Sequence, residues 1–178
     1  MTTSMKTLAG GLVAVMMACG SALAQTPTGA EARLKEKNIT LPPPPAPIAN
    51  YVDAVRVGNL LFLSGTTSGR QWTPNGKVGR DVTVEQGYQA ARHAGLIMLS
   101  KIRAVLGSLD RVKRIVKVLG MVNSADGFGD QPKVINGFSD LMVEVFGDAI
   151  GKHARSAVGM AALPGNAPVE VEMILEVE

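Results

Sequence analysis

The residues able to do chemistry in this chain gather toward its C-terminal end. Arg155 heads an apolar run, Ser156-Ala157-Val158, just after His153-Ala154. Leu163-Pro164-Gly165 marks a short turn, and Val169-Glu170-Val171-Glu172 opens a second run whose second residue is a glutamate. A guanidinium offers a planar fork of N–H donors that can take a carboxylate bidentately. A carboxylate on a neighbouring strand can take and return a proton on whatever the arginine holds. The pairing points to a small-molecule site for an anionic substrate. Taken singly, the same residues also read as a solvated arginine and as the wet face of an edge strand, like Glu172 and Glu176.

Other chemistries find less support. The two histidines, His93 and His153, lie far apart, and the one cysteine is Cys19. No metal site is therefore expected. No Ser/His/Asp set has a supporting motif, and no glycine loop of the phosphate-binding type is present. The net charge of +3 comes with no basic run, so no nucleic acid partner is expected. His93 reads as a surface or packing residue of a helix. His153, two residues before Arg155, is placed where it could join that site.

The elements that must position these residues follow from pattern. With 178 residues the chain can hold one domain with a real core. Residues 1–24 read as a secretory signal peptide: one charge in Met1 to Lys6, a small apolar run from Leu8 to Gly20, and Ala22-Leu23-Ala24 as a cleavage site. The run is shorter than the ~20 residues of a membrane span. Cleavage after Ala24 implies a periplasmic or secreted protein with no membrane attachment and no cysteine. Acylation at Cys19 is the competing outcome, although Met16 three residues before it fits that signal poorly.

Residues 25–47 form a lead-in. Thr28-Gly29-Ala30-Glu31 has capping-box spacing for a short helix through about Lys37, and Leu41 to Pro47 is extended chain of polyproline type, read as a spacer wrapping the surface. From residue 48 to 178 one domain is expected. Tyr51 to Val57 and Leu60 to Ser64 are β runs joined by the hairpin signal Gly58-Asn59. Gly65 to Arg80 is a loop with a minor strand near Val78. Thr83-Val84-Glu85-Gln86 opens a long helix with Tyr88, Ala91, Gly95, Met98, Ile102 and Leu106 on one stripe, closed by Gly107. Val112 to Asn123 is a central strand. Gln131 to Phe146 is a second helix with Val134, Phe138, Leu141 and Val145 inward. Ser156 to Ala161 and Val169 to Val177 are the last strands. The fold class is α+β: one mixed sheet with two helices on one face.

In that frame, Asn50-Tyr51-Val52, Val57-Gly58-Asn59-Leu60-Leu61-Phe62-Leu63-Ser64-Gly65, Ala154-Arg155-Ser156-Ala157, Leu163-Pro164 and Val169-Glu170-Val171-Glu172 resemble, in order, the Rid (reactive intermediate deaminase) family, also called YjgF-type or L-PSP endoribonuclease-like. The Gly76 to Asp81 segment resembles a divergent branch. The resemblance implies a chorismate-mutase-like fold, a homotrimer with clefts between subunits, and hydrolysis of 2-imino (enamine) acids to 2-keto acids and ammonia without metal or organic cofactor. It implies that Arg155 binds the substrate carboxylate, that Glu170 acts on water, and that Tyr51, Ser64 and Gly65 line the pocket. Asn136 matches a structural asparagine of the second helix. Ala157 stands where a cysteine is frequent, and Asp53 where a glutamine is common; an acid there would repel a carboxylate. A metabolite-binding or interaction protein without turnover on the same trimer, and an RNA-cleaving member, are the competing functions.

Overall fold

The computed structural model describes residue 1, residues 29–46 and residues 49–178. The leader features, Cys19, Thr28, Pro47 and Ile48 lie outside the described residues. The elements run α1 (Ala30–Glu36), β1 (Ala54–Val57), β2 (Leu60–Thr67), α2 (Val84–Leu106), β3 (Val112–Asn123), α3 (Gln131–Phe146), α4 (Asp148–Gly151), β4 (Ala154–Met160) and β5 (Val169–Val177). The strands make one sheet in the order β1-β2-β5-β3-β4. Only β3 and β4 are parallel, with α3 in their connection; the other pairs are antiparallel.

The period of two in β5 decides which face is inside. Val169, Val171, Met173, Leu175 and Val177 are buried, whereas Glu170, Glu172, Ile174 and Glu176 point the other way. Each fully buried side chain of this kind stabilises by about 1.5–3 kcal/mol. The stripes of α2 and α3 meet that apolar face, with Met98, Ile102, Val134, Phe138, Leu141 and Val145 fully buried. The two helices approach backbone to backbone at Gly137, where a Cβ would lie 2.0 Å from the Tyr88 carbonyl oxygen. Among the described residues the opposite sheet face carries no helix.

The start of α2 is fixed by reciprocal hydrogen bonds. Gln86 N donates to Thr83 Oγ1 at 3.2 Å, and Thr83 N donates to Gln86 Oε1 at 2.9 Å. Thr83→Ala is expected to cost about 1 kcal/mol and lower the melting temperature by about 2–4 °C; calorimetry checks it.

Several expectations are corrected. The α1 helix opens at Gly29, and the capping box expected of Thr28 lies outside the described residues. Glu31 N donates to Asp110 Oδ1 at 3.1 Å, and the Glu31 carboxylate accepts two bonds from Arg103 and one from Leu109 N. These tertiary partners pin the lead-in to the end of α2. Strand β2 runs on to Thr67, because after a bulge Thr66 and Thr67 pair with Val171 and Glu170. Strand β4 begins at Ala154 and so includes Arg155. Val78 makes isolated bridges to Val82 and Ser124 and no strand. Its neighbour Lys77 ties the loop down, donating to Asn123 Oδ1, Ser124 O and Ala161 O at 3.3, 2.9 and 2.6 Å. Leu41 to Pro44 lie along α2 beside Ser100, Arg103 and Ala104, bounding a shallow groove.

Candidate functional site

Arg155 is held on the helix side of the sheet. In the β3–β4 ladder it pairs with Val118, and Val118 pairs with the buried Met173 of β5. Its side chain therefore reaches α3. Nη1 donates to Asn136 Oδ1 at 2.9 Å and to Ser139 Oγ at 3.0 Å, and Nη2 makes a longer contact of 3.5 Å with Pro132 O. Asn136 and Ser139 stand three residues apart, so one helix face presents both acceptors. Of the five N–H donors of a guanidinium, these contacts occupy three. The Nε–H and one Nη2–H are left for a ligand. All three acceptors are neutral, and Arg155 has no acidic partner among the described residues.

His153 completes this cluster. Its Nε2 lies 3.0 Å from Ser139 Oγ and its Nδ1 2.6 Å from Gly151 O. Burial pushes its pKa below the ordinary imidazole value; the Gly151 hydrogen bond opposes this and the Arg155 charge adds to it. Asn136, read as structural, thus holds the arginine. Ser139 was not singled out by any sequence signal; its spacing from Asn136 on α3 is the one clue the chain offers.

Glu170 is built into a different place. It pairs with Met121 of β3 and Thr67 of β2, on the helix-free face. A Cβ on Gly65 would sit 2.1 Å from Glu170 Oε1, so the glycine is what lets the carboxylate lie against the β2 backbone. Ser64, next to it, donates from Oγ to Val52 O at 2.6 Å, while Ser64 N donates to Asp53 O at 2.9 Å. Ser64 thereby anchors the segment that carries Tyr51, which is exposed. Burial, and secondarily the charge of Glu172, push the Glu170 carboxyl above the usual glutamate range. Like Arg155, Glu170 has no ion-pair partner among the described residues.

The two groups are not brought together within one chain. The expectation of a carboxylate on a neighbouring strand is corrected: β3 lies between β4 and β5. Arg155 is level with Val118 and Glu170 with Met121. That odd offset of three residues along β3 puts the side chains on opposite faces. One chain therefore supplies two half-sites: Arg155 with Asn136, Ser139 and His153, and Glu170 with Gly65, Ser64 and the Tyr51 segment.

Asp53 does not act as a free negative charge. Its Oδ1 lies 2.8 Å from Nζ of Lys101, whose side chain is 6% exposed. The repulsion expected of an acid at this position is cancelled by α2. Ala157 shares the Arg155 face and packs against the core. Among the described residues no group of three or more His, Cys, Asp or Glu could hold a metal ion.

The chain is similar to known proteins over most of its length. A family model described as "YjgF/chorismate_mutase-like, putative endoribonuclease" matches residues 31–177. The protein TCP17 of Trypanosoma cruzi is 44% identical over 147 residues, covering 82% of this chain and 92% of that protein. A 2-iminobutanoate/2-iminopropanoate deaminase of Dermatophagoides farinae is 33% identical over 142 residues, covering 79% of this chain and 95% of the other. The solved structure of a protein of unknown function from Agrobacterium tumefaciens superposes with a TM-score of 0.74 at 42% identity, covering 83% of this chain and 91% of that one.

Proposed function

The chain belongs to the YjgF/chorismate mutase-like family, and from that membership we propose that it hydrolyses small 2-imino acids to 2-keto acids and ammonia. The observation that carries this reading is the Arg155 fork. It is fixed by neutral acceptors and matched with no acid, so its charge is available to a substrate carboxylate. The deaminase named among the relatives supports the reaction class.

The chemistry needs one more group. Water adds across the C=N bond, its oxygen joining carbon and one of its protons passing to nitrogen to give a carbinolamine. The hydroxyl then gives up its remaining proton to nitrogen as the C=O bond forms and the C–N bond breaks, so that ammonia leaves with both protons of the water. A carboxyl held above its usual range suits both transfers, because its pKa lies nearer the working pH. Glu170 has that property. Since Arg155 and Glu170 occupy opposite faces of one sheet, the complete site combines the Arg155 half of one copy with the Glu170 half of another. The helix-free face supports assembly, for it exposes Val55, Val57, Phe62 and Val158 around a recess lined by Phe62, Lys117, Leu119, Glu172 and Ile174. Exposed apolar surface of this kind marks interfaces. A cyclic homotrimer is the assembly of this reading.

A second reading, binding of a small keto acid without turnover, draws on Ala157, which puts no reactive group on the Arg155 face. Ammonia release from freshly generated 2-imino acids separates the two. Release above the spontaneous rate is expected. Binding of 2-keto acid with no ammonia selects the second reading, and a stable monomer by light scattering at micromolar concentration removes the shared site.

A further inference from the structure

Behind Arg155 runs a chain of hydrogen bonds in which each donor has one acceptor. The Gly151 carbonyl can only accept, so the His153 nitrogen 2.6 Å away, Nδ1, carries the proton. In the neutral ring Nε2 is then bare. The atom 3.0 Å from it is Ser139 Oγ, whose hydroxyl must donate to it. With its proton committed to His153, Ser139 turns its lone pairs toward Arg155 Nη1, which donates across 3.0 Å. The order is Arg155 to Ser139 to His153 to Gly151.

We propose that Ser139 and His153 are positioning residues for Arg155: the neutral imidazole orients the serine hydroxyl, and the serine fixes the guanidinium fork for the carboxylate of its ligand. This rests on the reading of Arg155 given above. A protonated His153 would aim two cationic donors, its own Nε2–H and Arg155 Nη1–H, at one serine oxygen. The surroundings favour the neutral ring. Burial disfavours the charged ring, the Gly151 hydrogen bond opposes this, and the charge of Arg155 on β4 adds to the effect of burial. On α4, Asp148 and Lys152 pair with each other at 2.6 Å. On α3, Asp140 accepts from the Tyr88 hydroxyl and Glu144 pairs with Arg92. Lys117 of β3 donates to Ser156 Oγ at 3.1 Å. Among the described residues no acid pairs with the imidazole.

The device is particular to these side chains. Asn136 alone would leave one Nη1 proton without a directed partner, and a serine without His153 could rotate its hydroxyl toward the guanidinium and present a donor to a donor. Because Arg155 would hold the carboxylate in both ground and transition states, loosening it should raise KM and spare kcat.

The test has two parts. Imidazole 15N shifts of the wild-type protein, with His93→Gln removing the only other histidine signal, are expected to show His153 protonated at Nδ1 and bare at Nε2 at neutral pH. A proton on Nε2 overturns the proposal whether or not any ligand binds. The second part uses 2-oxobutanoate as probe, with imine hydrolysis alongside. Ser139→Ala and His153→Leu are each expected to weaken binding about 2- to 10-fold, with kcat unchanged. His153→Gln keeps an acceptor for the hydroxyl and is expected to bind as wild type does. Acting in series, the double variant Ser139→Ala/His153→Leu should be no weaker than either single one. Independent, multiplying effects, or wild-type affinity in both single variants while Arg155→Ala fails to bind, overturn the positioning role. If Arg155→Ala binds as wild type does, the underlying site reading fails instead.

Discussion

Replacing Glu170 with glutamine is expected to lower ammonia release by about 10²–10⁴-fold, the usual contribution of a placed acid–base group, while 2-keto acid binding survives. Glutamine keeps the shape and an acceptor oxygen but cannot carry a proton between water and the leaving nitrogen. The same change should stabilise the fold at neutral pH. Burial raises the Glu170 carboxyl above its ordinary value of 4.5, so the folded state favours the protonated form. A raised carboxyl contributes stability that is complete below the unfolded value and is lost as pH rises through the folded value. At pH 7 the wild type has lost that contribution, and the uncharged glutamine has nothing to lose. The urea midpoint of Glu170→Gln should therefore exceed that of wild type at pH 7, with the gap closing below about pH 4.5. The group is only half-buried, so solvent keeps the gap small. Full turnover in the variant would remove Glu170 from the mechanism. A lowered midpoint would show that its charge helps to hold the fold.

The elements were legible because their signals are periodic. The alternation from Val169 to Val177 placed the core face of β5, and the Thr83/Gln86 box placed the start of α2, both as found. What the sequence left hidden was lateral order. Chain proximity puts Arg155 and Glu170 on successive strands, but β3 inserts between them, and no local pattern encodes strand order. The same limit hid the partners of Glu31. Arg103 and Asp110, distant in sequence, hold it. Ser139 was hidden for a related reason. A serine in a helix has no signature until the fold brings Arg155 and His153 to it.

Arg155→Ala is expected to weaken 2-keto acid binding by roughly 30- to 150-fold, equivalent to losing a charge-assisted contact worth about 2–3 kcal/mol. The argument starts from what the guanidinium has left to offer. Asn136, Ser139 and Pro132 occupy three of its donors, leaving the Nε–H and one Nη2–H to meet two carboxylate oxygens. Arg155→Lys restores the charge but not the fork, since an ammonium is a point donor without the planar pair. It should recover only part of the loss, and that gap measures the bidentate share. An uncharged amide analogue of the keto acid should bind wild type and Arg155→Ala alike, because neither then gains from the charge. Folding should be little affected: Arg155 neutralises no acid in the described chain, and water can replace it at the acceptors of α3. A folded Arg155→Ala protein that still prefers the carboxylate over the amide by the wild-type factor would mean that the anion is bound elsewhere, and that the cluster on α3 is a structural brace for the edge strand β4.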